Sequence, residues 1–208
     1  IERYVADPAI EGIAHSGYPI AMAQKWSDSL LNLDAIGEHR WWVTFHELGH
    51  NYQLAPWTFT GLQEATCNLT ALYVLEQVAG VPREQTHADL EMGTEKRHAR
   101  LHAYVEGGRN LEADWQTGFN AYQGFLPLEP FLQLQDAFGW EWLHNLNREY
   151  INLSPEETPY SDSEKIQQWI QRSSATLNVN LVEFYQDWGF SVSAATVSYT
   201  HLRAHETE

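Results

Sequence analysis

The run His46-Glu47-Leu48-Gly49-His50 leaves its backbone little choice. Histidines four residues apart face one another only on a helix, where both imidazoles can grip a single metal ion. Glu47, between them, can then reach a metal-held water and take its proton. Hydrolytic sites of this kind use three protein ligands and keep a fourth position for that water. A third ligand is therefore required. Glu64, in Gly61-Leu62-Gln63-Glu64-Ala65-Thr66-Cys67-Asn68, is the candidate.

The surroundings favour helices at both places. Residues 41–54 contain no proline and carry Trp42, Phe45, Leu48 and Tyr52 at close to a helical period. Residues 62–79 read as a second helix, stopped by Gly80-Val81-Pro82. The pair of histidines and Glu64 are thus predicted on two helices joined by a short loop, 55–61. Asn68, one turn beyond Glu64, is placed to bond a ligand imidazole and fix its tautomer. Cys67 lies one turn from Glu64 too, but a thiolate there would close the site, and small buried filler is the expectation for it.

These residues carry a resemblance to the enhancin-like, mucin-degrading zinc metallopeptidases, a branch of the gluzincins. That family's pattern is His-Glu-x-x-His followed by a liganding Glu in a Glu-x-x-x-Asn helix, matched here by His46, Glu47, His50, Glu64 and Asn68. His15-Ser16-Gly17-Tyr18-Pro19-Ile20 resembles a signature upstream of the metal helix. Phe131-Leu132-Gln133-Leu134, Phe138-Gly139-Trp140 and Phe184-Tyr185-Gln186-Asp187-Trp188-Gly189 are similar to the C-terminal part. The resemblance implies one Zn²⁺ per chain, held by His46, His50 and Glu64, with Glu47 as general base. It further implies cleavage of O-glycosylated, mucin-type protein by a secreted or cell-surface enzyme. The same domain resembles the peptidase-like part of TRP-channel-associated factors. The alternative is therefore a non-catalytic glycan- or protein-binding module that retains the zinc site.

Composition narrows the partners. The formal charge of −16 is wrong for a nucleic-acid partner, which needs a basic face. No apolar run approaches the length of a membrane span. With 43% hydrophobic and 19% charged residues, the chain is expected to fold as a domain rather than stay disordered. One cysteine excludes an internal disulfide. Residues 1–195 are expected to form one monomeric catalytic domain, a piece of a larger protein. Residues 196–208 resemble a translated sequencing adapter and are expected not to be native.

The rest of the chain gives many helical signals and few strand signals. Short strands are expected near Tyr4-Val5 and 17–20. Helices are expected at 21–31, 84–105, 128–138, 140–150, 164–173 and 180–188, with Ser161 and Glu164 as a capping box. The fold class is mainly α, a gluzincin-like catalytic domain with a small β element on its N-terminal side. Weaker site candidates are His15 and Tyr18 in the Gly-Tyr-Pro segment, and Trp57 and Trp115 as sugar-stacking loop residues. His98 and His102 share the i, i+4 spacing but have Ala99 where a base would stand, so a solvated face is expected. An oxyanion-stabilising residue is not singled out among Tyr73, His102, Tyr104 and Tyr122.

Overall fold

The computed structural model describes residues 1–27, 30, 32, 39–109 and 125–205. It is mainly α, with a three-stranded sheet near the N-terminus. Two compact units are formed, residues 1–53 with 63–102 and residues 54–62 with 103–208.

In the first unit, β1 (Tyr4–Asp7), β2 (Ala14–His15) and β3 (Ile20–Ala23) pair in the order β1-β3-β2. The β1 strand runs parallel to β3 with Tyr4 opposite Ile20, and β2 runs antiparallel with His15 opposite Ala21. The two-residue period of a strand turns Ile20 and Met22 to one side, where both are fully buried. The Thr44 hydroxyl meets Met22 Sδ at 3.8 Å, which places α2 (His39–Tyr52) over that face. The predicted helix at 21–31 is therefore corrected. Residues 20–23 are the central strand, and α1 spans only Gln24–Ser27. Bonds from Ile20 N to the Arg3 carbonyl (2.8 Å) and from Ala23 N to the Ile13 carbonyl (2.9 Å) outweigh local helical preference.

The second predicted helix is α3 (Gln63–Tyr73), prolonged by a wider, π-helical turn over Val74–Val78. Gly80, at φ +71°, ends it where the stop signal was read. The 84–105 expectation is corrected in its first half: Arg83–Gln85 is a single 3-10 turn, and the α-helix (α4) spans Thr94–Glu106. Residues 86–93 instead form turns and bends, tied to α4 through Glu91, a buried carboxylate that takes Lys96 Nζ at 2.7 Å and Arg100 Nη1 at 3.1 Å. Leu90, just before Glu91, stands at φ +55°, which no right-handed helix accommodates.

The second unit contains α5 (Glu129–Phe138), α6 (Glu141–Ile151), α7 (Asp162–Leu177), α8 (Val182–Asp187) and α9 (Ala194–His205). Gly139, at φ +75°, separates α5 from α6 as the sequence suggested. The Ser161–Glu164 capping box is formed. Trp169, 1% exposed, is the hub of the core, with ring centroids of Trp57, Phe131, Trp142 and Tyr150 within 6.3 Å of its own. Each such aromatic pair contributes about 0.5–1.5 kcal/mol beyond area burial. Among the described residues, no helix is long and apolar enough to cross a membrane.

Candidate metal centre

Helices α2 and α3 approach so closely that the backbones touch. A Cβ built on Gly49 would fall on the Cys67 carbonyl oxygen and lie 2.7 Å from its Cα. This contact brings the first turn of α3 beside the histidine face of α2. Glu64 Oε2 then stands 3.2 Å from His46 Nε2 and 3.5 Å from His50 Nε2, and the two Nε2 atoms are 3.1 Å apart. Tetrahedral zinc with N and O ligands at ordinary lengths separates its donors by about 3.4 Å. The three donors therefore suit such an ion without rearrangement. Cys67 Sγ joins them in a group of four donors, all within 4.8 Å of one another.

The tautomer of each imidazole follows from its neighbours. Asn68 Nδ2 donates to the Glu64 carbonyl at 2.8 Å, and Trp42 Nε1, which can only donate, points at Asn68 Oδ1 from 3.1 Å. The Asn68 oxygen thus faces His46 Nδ1 at 2.7 Å, where it can only accept. His46 must carry its hydrogen on Nδ1, which leaves the Nε2 lone pair for a metal. This is the role read for Asn68 in the sequence. Gln53 does the same for His50, with Oε1 3.0 Å from Nδ1. It was not singled out in the sequence, although it sits one turn beyond His50.

Cys67 is fully buried, as filler would be, but its Sγ lies 3.3 Å from His46 Nδ1 and 3.7 Å from Nε2. Burial above all pushes the thiol pKa up, and the charges of Glu64 and Glu47 add to this. It stays a neutral thiol beside the ring. Glu47, half-buried on α2, feeds its negative charge to Tyr4, His50 and Cys67 alike.

Of the other candidates, His15 is exposed at the end of β2 and Tyr18 is 71% exposed in the following loop. Asn51, next to His50, pins that loop through Gly17: Oδ1 accepts from Gly17 N at 2.8 Å, and Nδ2 donates to the Gly17 carbonyl at 2.9 Å. Trp57 is corrected. It does lie in a loop, but it is 5% exposed, packed on Trp169 at 4.8 Å, and its Nε1 donates to Asn147. It offers no free face to a sugar. Trp115 and Tyr122 lie outside the described residues. Tyr104 is buried with its hydroxyl donated to the Trp188 carbonyl at 2.8 Å, and so is not free to stabilise an oxyanion.

Two expected outcomes arise from this geometry. Asn68→Ala removes the acceptor shared by His46 and Trp42, and metal affinity should fall about 10- to 100-fold in a chelator-competition titration. An unchanged affinity would mean that His46 needs no such partner.

The second concerns pH. Burial works against a charged His50, but its bonds to Glu64 and Gln53 and the charges of Glu64 and Glu47 outweigh it, so its pKa stands above the ordinary 6.5. The imidazoles of His46 and His50 facing it, able to share a proton with its carboxylate, hold Glu64 well below the usual carboxylate range. In the metal-free protein the His50 contribution to stability is present below pH 6.5 and lost as pH rises through the raised value. The Glu64 contribution runs the other way. It is present above the ordinary carboxylate pKa of 4.5 and lost on acidification. Metal must displace the His50 proton, so apparent affinity should climb as pH rises through the raised value. Calorimetry in buffers of different ionisation enthalpy should count protons released on metal binding at and below that value. A count of zero there would contradict the raised pKa.

Comparison with known proteins places this geometry. A TRPM8 channel-associated factor homologue of Xenopus laevis is 36% identical over 199 residues, covering 95% of this chain and 21% of that protein. TRPM8 channel-associated factor 2 of Homo sapiens is 37% identical over 193 residues, covering 92% of this chain and 20% of its own length. The chain thus spans about a fifth of these relatives. A crystal structure of a functionally unknown conserved protein from Bacillus anthracis superposes with a TM-score of 0.76 at 25% identity, covering 96% of this chain and 38% of that one. The family model for peptidase M60, enhancin and enhancin-like proteins matches residues 1–189. With its histidine pair and Glu64 assembled on two touching helices, the chain is a metallopeptidase-like domain and belongs to the peptidase M60, enhancin and enhancin-like family.

Proposed function

We propose that the chain is the catalytic domain of a zinc-dependent endopeptidase that cleaves O-glycosylated, mucin-type protein outside the cell or at its surface. The observation that carries the proposal is the donor triangle of His46, His50 and Glu64, with Glu47 on the same helix as both histidines. A zinc ion bound there supplies a Lewis acid and acidifies water. The residues do the rest. His46 and His50 present Nε2 because Asn68 and Gln53 hold their other nitrogens. Glu64 adds the negative charge, held ionised by its two imidazole partners. Glu47 accepts the proton of the attacking water and passes it to the departing amine.

A second reading has its own support. Relatives named as TRPM8 channel-associated factors are 36–37% identical to this chain, so a binding module that keeps the metal group is the competing function. The net charge of −16 disfavours long-range attraction of sialylated or sulfated glycans, so glycan contact in either reading is local. Incubation of the zinc-loaded protein with a mucin-type glycoprotein, with and without chelator, separates the two. Fragments that vanish with chelator are expected. Retention on the glycoprotein without fragments supports the module, and equal cleavage of the deglycosylated protein refutes the glycan requirement.

A further inference from the structure

We propose that Gln53 is the positioning residue for His50 and, through the same amide, the clasp that holds the Glu64-bearing turn of α3 against the end of α2. Gln53 Nε2 lies 2.5 Å from the Gln63 carbonyl oxygen and 2.7 Å from Thr66 Oγ1. A carbonyl oxygen can only accept, so the atom facing it must be the amide nitrogen. That choice fixes the other end. Gln53 Oε1 is the atom 3.0 Å from His50 Nδ1, and it can accept but never donate. His50 in its neutral form must therefore keep its hydrogen on Nδ1 and turn the Nε2 lone pair toward His46 and Glu64, 3.1 and 3.5 Å away.

The arrangement mirrors that of His46. Two consecutive carbonyls at the start of α3, Gln63 and Glu64, each orient one amide, and each amide orients one imidazole. Asn68 takes its orienting carbonyl from its own helix and reaches back to His46 and Trp42 on α2. Gln53 instead reaches from the residue after α2 across to α3, so its bonds join the helix bearing two ligands to the turn bearing the third. A ligand pair and its carboxylate are then registered by one side chain.

The inference rests on the metal reading but not on the substrate, and its test separates the two. Histidine-selective ¹⁵N labelling of the metal-free protein, at a pH where the rings are neutral, reports each tautomer. Zinc affinity is measured by chelator competition, and folding by thermal melting. Wild type should show His50 with hydrogen on Nδ1. Gln53→Leu should move His50 toward the Nε2–H form and lower zinc affinity about 10- to 100-fold. Gln53→Glu keeps an acceptor for His50 while losing the donor to Gln63, so it should retain the tautomer and recover most of the affinity, at a lower melting temperature.

Wild-type His50 found as the Nε2–H form overturns the proposal even if no variant folds. So does a folded Gln53→Leu protein with unchanged tautomer and affinity, or equal affinity losses in both variants with the tautomer intact. If wild type takes up no zinc, the metal reading fails, and the tautomer comparison still decides the part played by Gln53.

Discussion

Glu47→Gln is expected to leave metal content stoichiometric while peptide hydrolysis falls about 10²- to 10⁴-fold, the range a positioned proton carrier supplies. The substitution keeps size and shape and removes only the ability to take a proton. The ligand triangle is built by other residues, with each histidine oriented by its own amide and Glu64 supplied by the facing helix. Nothing in that triangle needs Glu47. Its charge is felt by its neighbours, since Tyr4 is pushed up to about 12, first by burial and then by Glu2 and Glu47. His46→Ala is the contrasting case, in which metal and activity should vanish together. Metal analysis beside a turnover assay on a glycoprotein reads both. Full turnover by the glutamine variant would remove Glu47 from the chemistry, and loss of metal would make it structural.

What the sequence made legible was whatever depends on spacing within one element. The i, i+4 histidines demanded a helix, the Glu64–Asn68 spacing demanded another, and both helices are present. For Asn68, the bond to the Glu64 carbonyl follows from one helical turn, whereas its imidazole partner sits on α2 and is reached only through packing. Gln53 was not readable, since its role depends on which carbonyl of another helix faces it, and that is set by tertiary packing. Residues 84–93 misled for a related reason. Their apolar period was helical, but the backbone there forms turns, tied to α4 by the bonds of the buried Glu91 to Lys96 and Arg100. Trp57 shows the limit for loops. A tryptophan between turn residues looks exposed in one dimension, and only the three-dimensional aromatic cluster around Trp169 reveals it as core.

Gly49 is the residue whose meaning changes most between the two views, and Gly49→Ala carries the second large expected effect. Inside a helix a glycine costs about 1 kcal/mol relative to alanine, so on propensity alone the change should stabilise the protein. The structure reverses the sign. The added methyl would meet the Cys67 carbonyl oxygen, with Cα 2.7 Å and the carbonyl carbon 2.8 Å away, all backbone atoms that no rotamer can withdraw. Overpacking of this kind costs about 1–3 kcal/mol where side chains can yield, and here only helix separation relieves it. Separation would carry Glu64 away from His46 and His50, because the contact at Gly49 is what sets the approach of α3. A displacement of about 1 Å is enough to lower turnover about 10²-fold. The variant should therefore melt several degrees lower, bind zinc more weakly and lose most activity, all from one methyl group that touches no ligand. Trimming Cys67 to glycine in the same protein should rescue none of this, because the clash is with backbone. Melting and metal affinity equal to wild type would mean that α2 and α3 stand farther apart, and the donor triangle would need another explanation.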